Sequence, residues 1–588
     1  MTGYTAPLED MRFDLFAVAG LEEIAGLPGY EDATPDLVDA ILTEAGKLAA
    51  EVLAPINRIG DQEGCSLENG VVRTAPGSVE AYRTFSEGGW TALPFDPDYG
   101  GQGLPWTLAF AVQEMWQSAN MAFGLCPLLT QGAIELLQAH GSAEQKALYL
   151  PRLISGQWAG TMNLTEPQAG SDVGALKTTA VPDGDGYRIT GQKIFITHGE
   201  HDLTENIVHM VLARTPGAPA GTKGISLFLV PKFLVNPDGS LGPRNDLRCA
   251  SIEHKLGIKA SPTAVMAYGD DGGASGLLIG EEQRGMAAMF TMMNNARIAV
   301  GIQGLGIAER AYQQALAYAR ERVQSGPILE HPDVQRMLAT MKAQIAAARA
   351  LCYDAAGALD RSKREPDEAR RAKAQARVDL LTPVVKAWAS DIGCEVASAG
   401  VQVHGGMGFI EETGAAQHLR DARIAPIYEG TNGIQAMDLV MRKVVRDEGA
   451  ALRDLVADLR QELDAERAAL NGLADAILPE LERLDATTGW MIEAAQRDPR
   501  LAAAGASPYL RLFGTVAAAA LLARGAAAAT RKRANGDGAG NGYAPAFLDE
   551  RVAIARFYAA NLLPQAPAHA AAVTGGAEAL LALDKAQL

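Results

Sequence analysis

The sequence predicts a mostly helical chain with a β domain at its centre and a further helical block at its C-terminal end. Three observations carry that prediction. Apolar residues recur three and four apart over residues 35–160 and again from Gly285 to about residue 448, which is the period of a helix face. Between them, from about 160 to 280, short β-branched and aromatic runs are separated by Gly, Pro, Asp and Asn, the texture of strands in a small barrel or sandwich. The last stretch, 449–588, is again helical and rich in Ala. Helices, then strands, then helices, then more helices is a segregated order; it argues for separate domains and against a βαβ nucleotide fold.

The elements follow in chain order. Residues 1–34 form an N-terminal extension, followed by a helical domain over 35–160 that opens with Asp36-Leu-Val-Asp-Ala-Ile-Leu-Thr-Glu-Ala-Gly-Lys-Leu48. Gly88-Gly-Trp90 and Asp98–Pro105 supply loops within it, and Met121–Thr130 is an apolar segment expected to be broken at Pro127. The β domain, 161–281, holds three clear strands: Tyr187–Thr197, Ile207–Arg214 and Gly224–Pro231. The helical bundle at 282–448 includes a helix starting at Pro332, with Val334, Leu338, Met341 and Ile345 on one face. In the final block, Asn535–Gly542 reads as a flexible glycine-rich loop.

Composition excludes several classes. At 588 residues the chain is too long for one core. A net charge of -18 argues against nucleic acid or an anionic membrane as main partner. Five scattered cysteines, Cys65, Cys126, Cys249, Cys352 and Cys394, have no metal-ligand spacing, so reduced thiols, no metal site and a cytoplasmic location are expected. The N-terminal residues carry acids where a secretory signal has bases. The most apolar run, Val516–Thr530, contains Arg524 and reads as too short to span a bilayer, so no membrane insertion is expected.

The candidate chemistry centres on Arg423-Ile-Ala-Pro-Ile-Tyr-Glu-Gly-Thr-Asn-Gly-Ile-Gln435. Glu429 is the one acid between Ala422 and Met437, on a break made by Pro426 and Gly430, with a helix starting near Thr431. From these residues alone Glu429 is either an exposed capping acid or a general base whose ionisation is raised by an apolar pocket.

Other segments bear on that choice. They are Met162-Asn-Leu-Thr-Glu-Pro-Gln-Ala-Gly-Ser-Asp172, Phe195-Ile-Thr-His198, Ala319-Arg-Glu-Arg-Val-Gln-Ser-Gly326, Gln402-Val-His-Gly-Gly-Met-Gly-Phe409 and Tyr428-Glu-Gly-Thr431. This ordered set resembles the acyl-CoA dehydrogenase family of flavoproteins over residues 35–440. The resemblance implies FAD, with Met162, Leu164, Thr165, Phe195, Ile196 and Thr197 lining the isoalloxazine and Ser171 holding a phosphate. It also implies that Arg322 and Gln324 bind the pyrophosphate and adenosine, and that Gln402, Gly405 and Gly406 reach the FAD of a neighbouring subunit, with Thr431 nearby. Ser171, Asn294, Arg297 and Gly430 fall on substrate positions, Arg297 on a CoA-anchoring arginine. Glu429 falls on the catalytic base; a subclass places its base just before the Arg297 position, where Ala296 cannot serve.

The implied reaction is α,β-dehydrogenation of an acyl-CoA: Glu429 takes the α-proton while the β-hydrogen leaves as hydride to flavin N5. Electrons would pass on to an electron-transferring flavoprotein. The sequence departs from the family pattern at Ser325 (usually aromatic), Ile196 (often Trp) and His198 (often Asn), and His198 and His404 read as structural. The C-terminal block resembles that of the larger, very-long-chain-like branch, which implies a homodimer. Tyr4–Phe13 and Phe123–Ala133 carry a closer likeness to the bacterial group acting on 3-(methylthio)propanoyl-CoA. The alternatives are a medium- or long-chain dehydrogenase, an acyl-CoA oxidase, and a non-catalytic DNA-binding relative of the fold.

Overall fold

The computed structural model describes residues 3–534 and 542–587, so all but the last residue of the expected loop at 535–542 lies outside the described residues. Its contacts divide the chain into two compact units. One comprises Lys47–Leu104 and Ala119–Ala296; the other comprises Met1–Gly46, Pro105–Ser118 and Arg297–Leu588.

The first unit is built on one eight-stranded sheet. In chain order its strands are β1 (Trp158–Asn163), β2 (Thr179–Asp183), β3 (Gly186–Thr197) and β4 (Asn206–Ala213). They continue with β5 (Ser226–Pro231), β6 (Leu247–Ile252), β7 (Thr263–Tyr268) and β8 (Ala274–Leu278). The spatial order is β6-β7-β3-β8-β5-β4-β1, with β2 also on β3; β1 and β4 are parallel and the other pairs antiparallel. The three strands expected from β-branched runs are β3, β4 and β5. Every residue of β4 and β5 is buried, as in a strand covered on both faces. Ile189, Ile196, Val211, Phe228, Val230, Met266 and Tyr268 form its core.

Two details correct the sequence reading of this unit. The region taken as wholly helical contains a hairpin, Ser66–Glu68 against Val71–Arg73. Its turn is Asn69-Gly70, both with positive φ (51° and 77°), the two-residue loop whose twist suits a hairpin. The segment expected to break at Pro127 is instead one continuous helix, α1 (Met121–His140), capped by Asn120 Oδ1 accepting from Phe123 N at 3.0 Å. Pro127 removes one N–H from the ladder, a cost of about 3 kcal/mol. All but a few of the helix's residues are buried, and at roughly 1.5–3 kcal/mol per large apolar side chain that burial outweighs the break. The helix lies on β1 across Gly160, where a Cβ would stand 2.4 Å from the Ala133 methyl.

The second unit is helical. Helix α2 (Gly285–Glu321) begins in the first unit and ends in this one; α3 (Pro332–Arg364) and α4 (Glu368–His404) follow, then the short α5 (Asn432–Met437) and the long α6 (Pro499–Ala534). Leu338, Met341 and Ile345 of α3 are buried as their spacing implies. Between α2 and α4 the backbones touch. A Cβ on Gly304 would lie 2.3 Å from Ala389 O, one on Gly393 2.7 Å from Gly304 O, and one on Gly301 2.9 Å from Val385 O.

The run Val516–Thr530, expected to be too short to span a bilayer, belongs to a 36-residue helix. By length and composition α6 could cross a membrane, but 94% of its most apolar window is buried inside the protein. It is a core helix of this unit, with Gly514 pressed against the Trp388 ring of α4 and Arg524 paired with Asp354 and Glu462. The N-terminal extension is fastened to the far end of the chain. Arg551 donates to Asp10 at 2.9 Å and to Asp14, and its guanidinium lies 5.0 Å from the Phe13 ring centre. Phe13 packs on Tyr543 and Phe547, and Arg524 donates to Val18 O at 2.8 Å.

Candidate active site

The loop before α5 owes its shape to two consecutive left-handed residues, Glu429 (φ 57°) and Gly430 (φ 84°). Gly adopts that conformation freely, whereas Glu pays of order 1 kcal/mol or more, so the surroundings must hold it. Gln435, fully buried, reaches back with Nε2 to Glu429 O at 3.1 Å and Gly430 O at 3.2 Å. Thr431 is the N-cap of α5, its hydroxyl accepting from Ile434 N at 3.3 Å, so the helix starts where Pro426 and Gly430 implied. Asn432 N donates to Pro426 O at 3.0 Å and closes the turn.

The Asn432 side chain pins the loop to α4. Its Nδ2 donates to Ala387 O at 3.0 Å, Ser390 Oγ at 3.0 Å and Asp391 Oδ1 at 2.7 Å, and its Oδ1 accepts from Lys386 Nζ at 2.9 Å. The Tyr428 hydroxyl donates to Gln303 Oε1 on α2. Two glycine-thinned helices thus grip the base loop from two sides. Among the described residues the Glu429 N–H has no protein acceptor.

Electrostatics separate the two readings of Glu429. Burial raises its carboxyl to about 7, against the lowering influence of Lys386 and then Arg297. Arg297 is itself buried, donating through Nη1 to Asp438 Oδ2 at 3.1 Å. A carboxylate poised near 7 in a desolvated pocket is suited to general-base work and is unlike a solvated cap.

The remaining predicted residues fall into two groups. In the first unit Leu164 and Thr165 lie against β3: Lys193 Nζ donates to Leu164 O at 3.0 Å and Ile194 N to Thr165 O at 2.9 Å. Met162 and Ile196 are buried, Thr197 is half-buried, and Phe195 is 60% exposed with φ 59°. Ser171 is exposed and Asn294 half-buried. Glu166, quoted in the motif without a role, anchors its loop. It accepts from Lys177 N, Thr178 N, Thr178 Oγ1 and Lys193 Nζ at 2.6–3.0 Å, and although burial raises its carboxyl, these partners bring it down to about 2.

In the second unit Arg322 and Gln324 are exposed just beyond α2, and Gln402 is exposed near the end of α4. Gly405 (φ 60°) and Gly406 follow with open space where a Cβ would stand. The first group offers an exposed aromatic ring and half-buried hydroxyls, the second exposed side-chain donors and bare glycines.

Cys126, His198 and His201 bring their ligand atoms within 4.8 Å of one another, all buried. His201 Nδ1 accepts from Leu203 N at 3.2 Å, which places the ring proton on Nε2, and burial lowers both histidines far below their ordinary range. The rings stack edge-on at 5.5 Å as neutral packed groups. His404 hydrogen-bonds Gly400 O and stacks on Tyr318. The five cysteines are free.

Sequence reasoning passed over Lys386, Asn432 and Gln435. Two of them stood inside the motif itself; the signal for the third is a lone Lys in the apolar run Leu380-Leu-Thr-Pro-Val-Val-Lys-Ala-Trp388.

One unit is helical and carries this carboxylate, the other is built on a β-sheet, and the chain belongs to the acyl-CoA dehydrogenase family. It matches that family's N-terminal domain over residues 38–157, its middle domain over 161–270 and its C-terminal domain over 283–444, and an acetyl-CoA dehydrogenase C-terminal-like domain over 450–584. It is 47% identical to the 3-methylmercaptopropionyl-CoA dehydrogenase of Ruegeria pomeroyi, across 98% of this chain and 99% of that protein. A broad-specificity linear acyl-CoA dehydrogenase of Mycobacterium tuberculosis is 35% identical over 96% of each chain. Among solved structures, butyryl-CoA dehydrogenase of Megasphaera elsdenii aligns with TM-score 0.58 at 28% identity, over 69% of this chain and 97% of that one. ACDH-11 of Caenorhabditis elegans shares the fold at TM-score 0.75 and 22% identity, over 95% of this chain and 92% of that one.

Proposed function

We propose that this protein is an FAD-dependent acyl-CoA dehydrogenase in which Glu429 is the base that removes the α-proton of the thioester. The observation that carries the reading is the state of Glu429: a half-buried carboxyl raised to about 7, on a strained turn clamped by Gln435 and Asn432. When bound, FAD supplies the hydride acceptor for the β-hydrogen. In this reading Leu164, Thr165, Phe195 and Thr197 receive its ring, and Arg322, Gln324, Gln402, Gly405 and Gly406 its phosphate and adenosine half, because those are the family positions on which they fall. The α C–H is a poor acid until its carbonyl oxygen accepts hydrogen bonds, and the unclaimed Glu429 N–H is a donor for that oxygen.

The preferred substrate in this reading is 3-(methylthio)propanoyl-CoA, supported by the 47% identity to the Ruegeria pomeroyi dehydrogenase over nearly the whole chain. An electron-transferring flavoprotein as acceptor, a homodimer and a cytoplasmic location complete it. Anaerobic titration of the oxidised holoenzyme tests it: 3-(methylthio)propanoyl-CoA should bleach the flavin faster than butyryl- or octanoyl-CoA. Equal or faster bleaching by a straight chain would refute the substrate assignment, and no bleaching by any acyl-CoA would refute the activity.

A further inference from the structure

We propose that Lys386 is a positioning residue for the Glu429 base: its buried ammonium, held at Nζ by Asn432, supplies the positive charge beside which the Glu429 carboxylate ionises. The inference rests on Glu429 being the base.

Lys386 sits mid-helix in α4, with no exposed surface, inside an apolar run. A Lys is rarely so buried unless an acceptor and a counter-charge compensate for lost water. Its acceptor is Asn432 Oδ1 at 2.9 Å, and Asn432 is three residues beyond Glu429 on the loop it fastens. The other bonds of Asn432, to Ala387 O, Ser390 Oγ and Asp391 Oδ1, all go to α4 within the five residues after Lys386. Lysine and loop are therefore fixed together as one assembly.

The charged groups around them come from every packed element. Asp391 on α4 is turned toward Asn432 and toward Arg511 of α6, 3.6 Å away. Arg297 on α2 is neutralised by Asp438, which also pairs with Arg442. Lys386 and Arg297 are the two cations that act on Glu429, Lys386 the more strongly, and Arg297 is already paired with Asp438. Burial lowers the Lys386 ammonium to about 7, while Glu429 first and then Asp391 hold it up; on Glu429 the largest lowering influence is Lys386. The two titrate as a coupled pair.

The test is the pH profile of single-turnover flavin reduction in FAD-loaded enzyme, for wild type, Lys386→Met and Lys386→Arg, with Glu429→Gln alongside. A nearby opposite charge moves a carboxyl by about one to three units. Lys386→Met should therefore shift the rising limb upward by at least about one unit, cutting the rate at pH 7 by about fivefold or more while the plateau at high pH returns toward wild type. Lys386→Arg should keep the limb near its wild-type position. A uniform loss at all pH values in Lys386→Met, or an unmoved limb, would overturn the proposal and leave Lys386 as a packing residue. Should Lys386→Met fail to hold FAD, Asn432→Ser, which frees the ammonium and keeps the charge, must shift the limb in the same direction by less; no shift overturns the proposal. Retained flavin reduction in Glu429→Gln would instead refute Glu429 as the base, a separate failure.

Discussion

Replacing Gly304 by Ala adds one methyl at the crossing of α2 and α4, and the structure fixes where it goes. The new Cβ would lie 2.3 Å from Ala389 O, 2.6 Å from Ala389 C and 2.7 Å from Ser390 Cα. All three are backbone atoms in the middle of a helix, so no side chain can swing aside. Restoring an ordinary contact requires the helices to part by about 1 Å, and overpacking of this kind costs about 1–3 kcal/mol. The residues displaced are those that hold the base: Ala387, Ser390 and Asp391 anchor Asn432, and Gln303 on α2 receives the Tyr428 hydroxyl. A misplacement of about 1 Å at a reacting group costs on the order of 10²-fold in rate. Gly304→Ala should therefore lower the melting midpoint by a few degrees and slow flavin reduction by about two orders of magnitude, with FAD still bound. Thermal unfolding together with stopped-flow bleaching measures both. A variant that melts lower yet reduces flavin at the wild-type rate would refute the claim that this crossing positions Glu429.

Three more outcomes are expected. Because burial raises the Glu429 carboxyl to about 7 and only the ionised form accepts a proton, wild-type flavin reduction should rise roughly tenfold from pH 6 to pH 8. Glu429→Gln should flatten that limb and lose about 10²–10⁴ in rate, and a flat wild-type profile would contradict the pocket's effect. Arg322→Ala should weaken FAD retention by about one to two decades, the worth of a charge-assisted bond to phosphate, and unchanged affinity would place Arg322 outside the cofactor site. Ending the chain at residue 450 should cause aggregation, since it strips α6 from Trp388 and removes Arg524 from Asp354; a well-folded truncated monomer would show that the block is dispensable for packing.

The β domain was legible because β3, β4 and β5 advertise themselves by β-branched content, and the start of α5 because Thr431 is a strong cap. Pro127 misled because a local rule was set against the burial of a whole helix, a tertiary quantity no window of residues contains. The Asn69-Gly70 hairpin was overlooked although its turn residues are local, since the surrounding helical period drew the whole stretch into one class. At the site, Glu429 stood out as a solitary acid, but its partners did not. Lys386 is more than forty residues away in sequence and its role depends on which turn of α4 faces the loop. Gly304 and Gly393 likewise read as weak spots in helices until the two are seen back to back.

The fastening of Phe13, Asp14 and Val18 by Arg524, Tyr543, Phe547 and Arg551 bears on the order in which the chain can be completed. The partners of these early residues are more than 500 positions downstream. During synthesis Arg12 soon meets its partner Asp39, but the Phe13 ring and the Asp14 carboxylate wait until Tyr543, Phe547 and Arg551 have emerged. Closing a loop of that length costs about 5–6 kcal/mol in chain entropy if the rest were unstructured, and far less once the intervening helices are already assembled. The extension is thus tied down in two stages, Thr5, Ala19 and Tyr30 by residues 313–361 and Phe13 and Asp14 only later by residues 543–551.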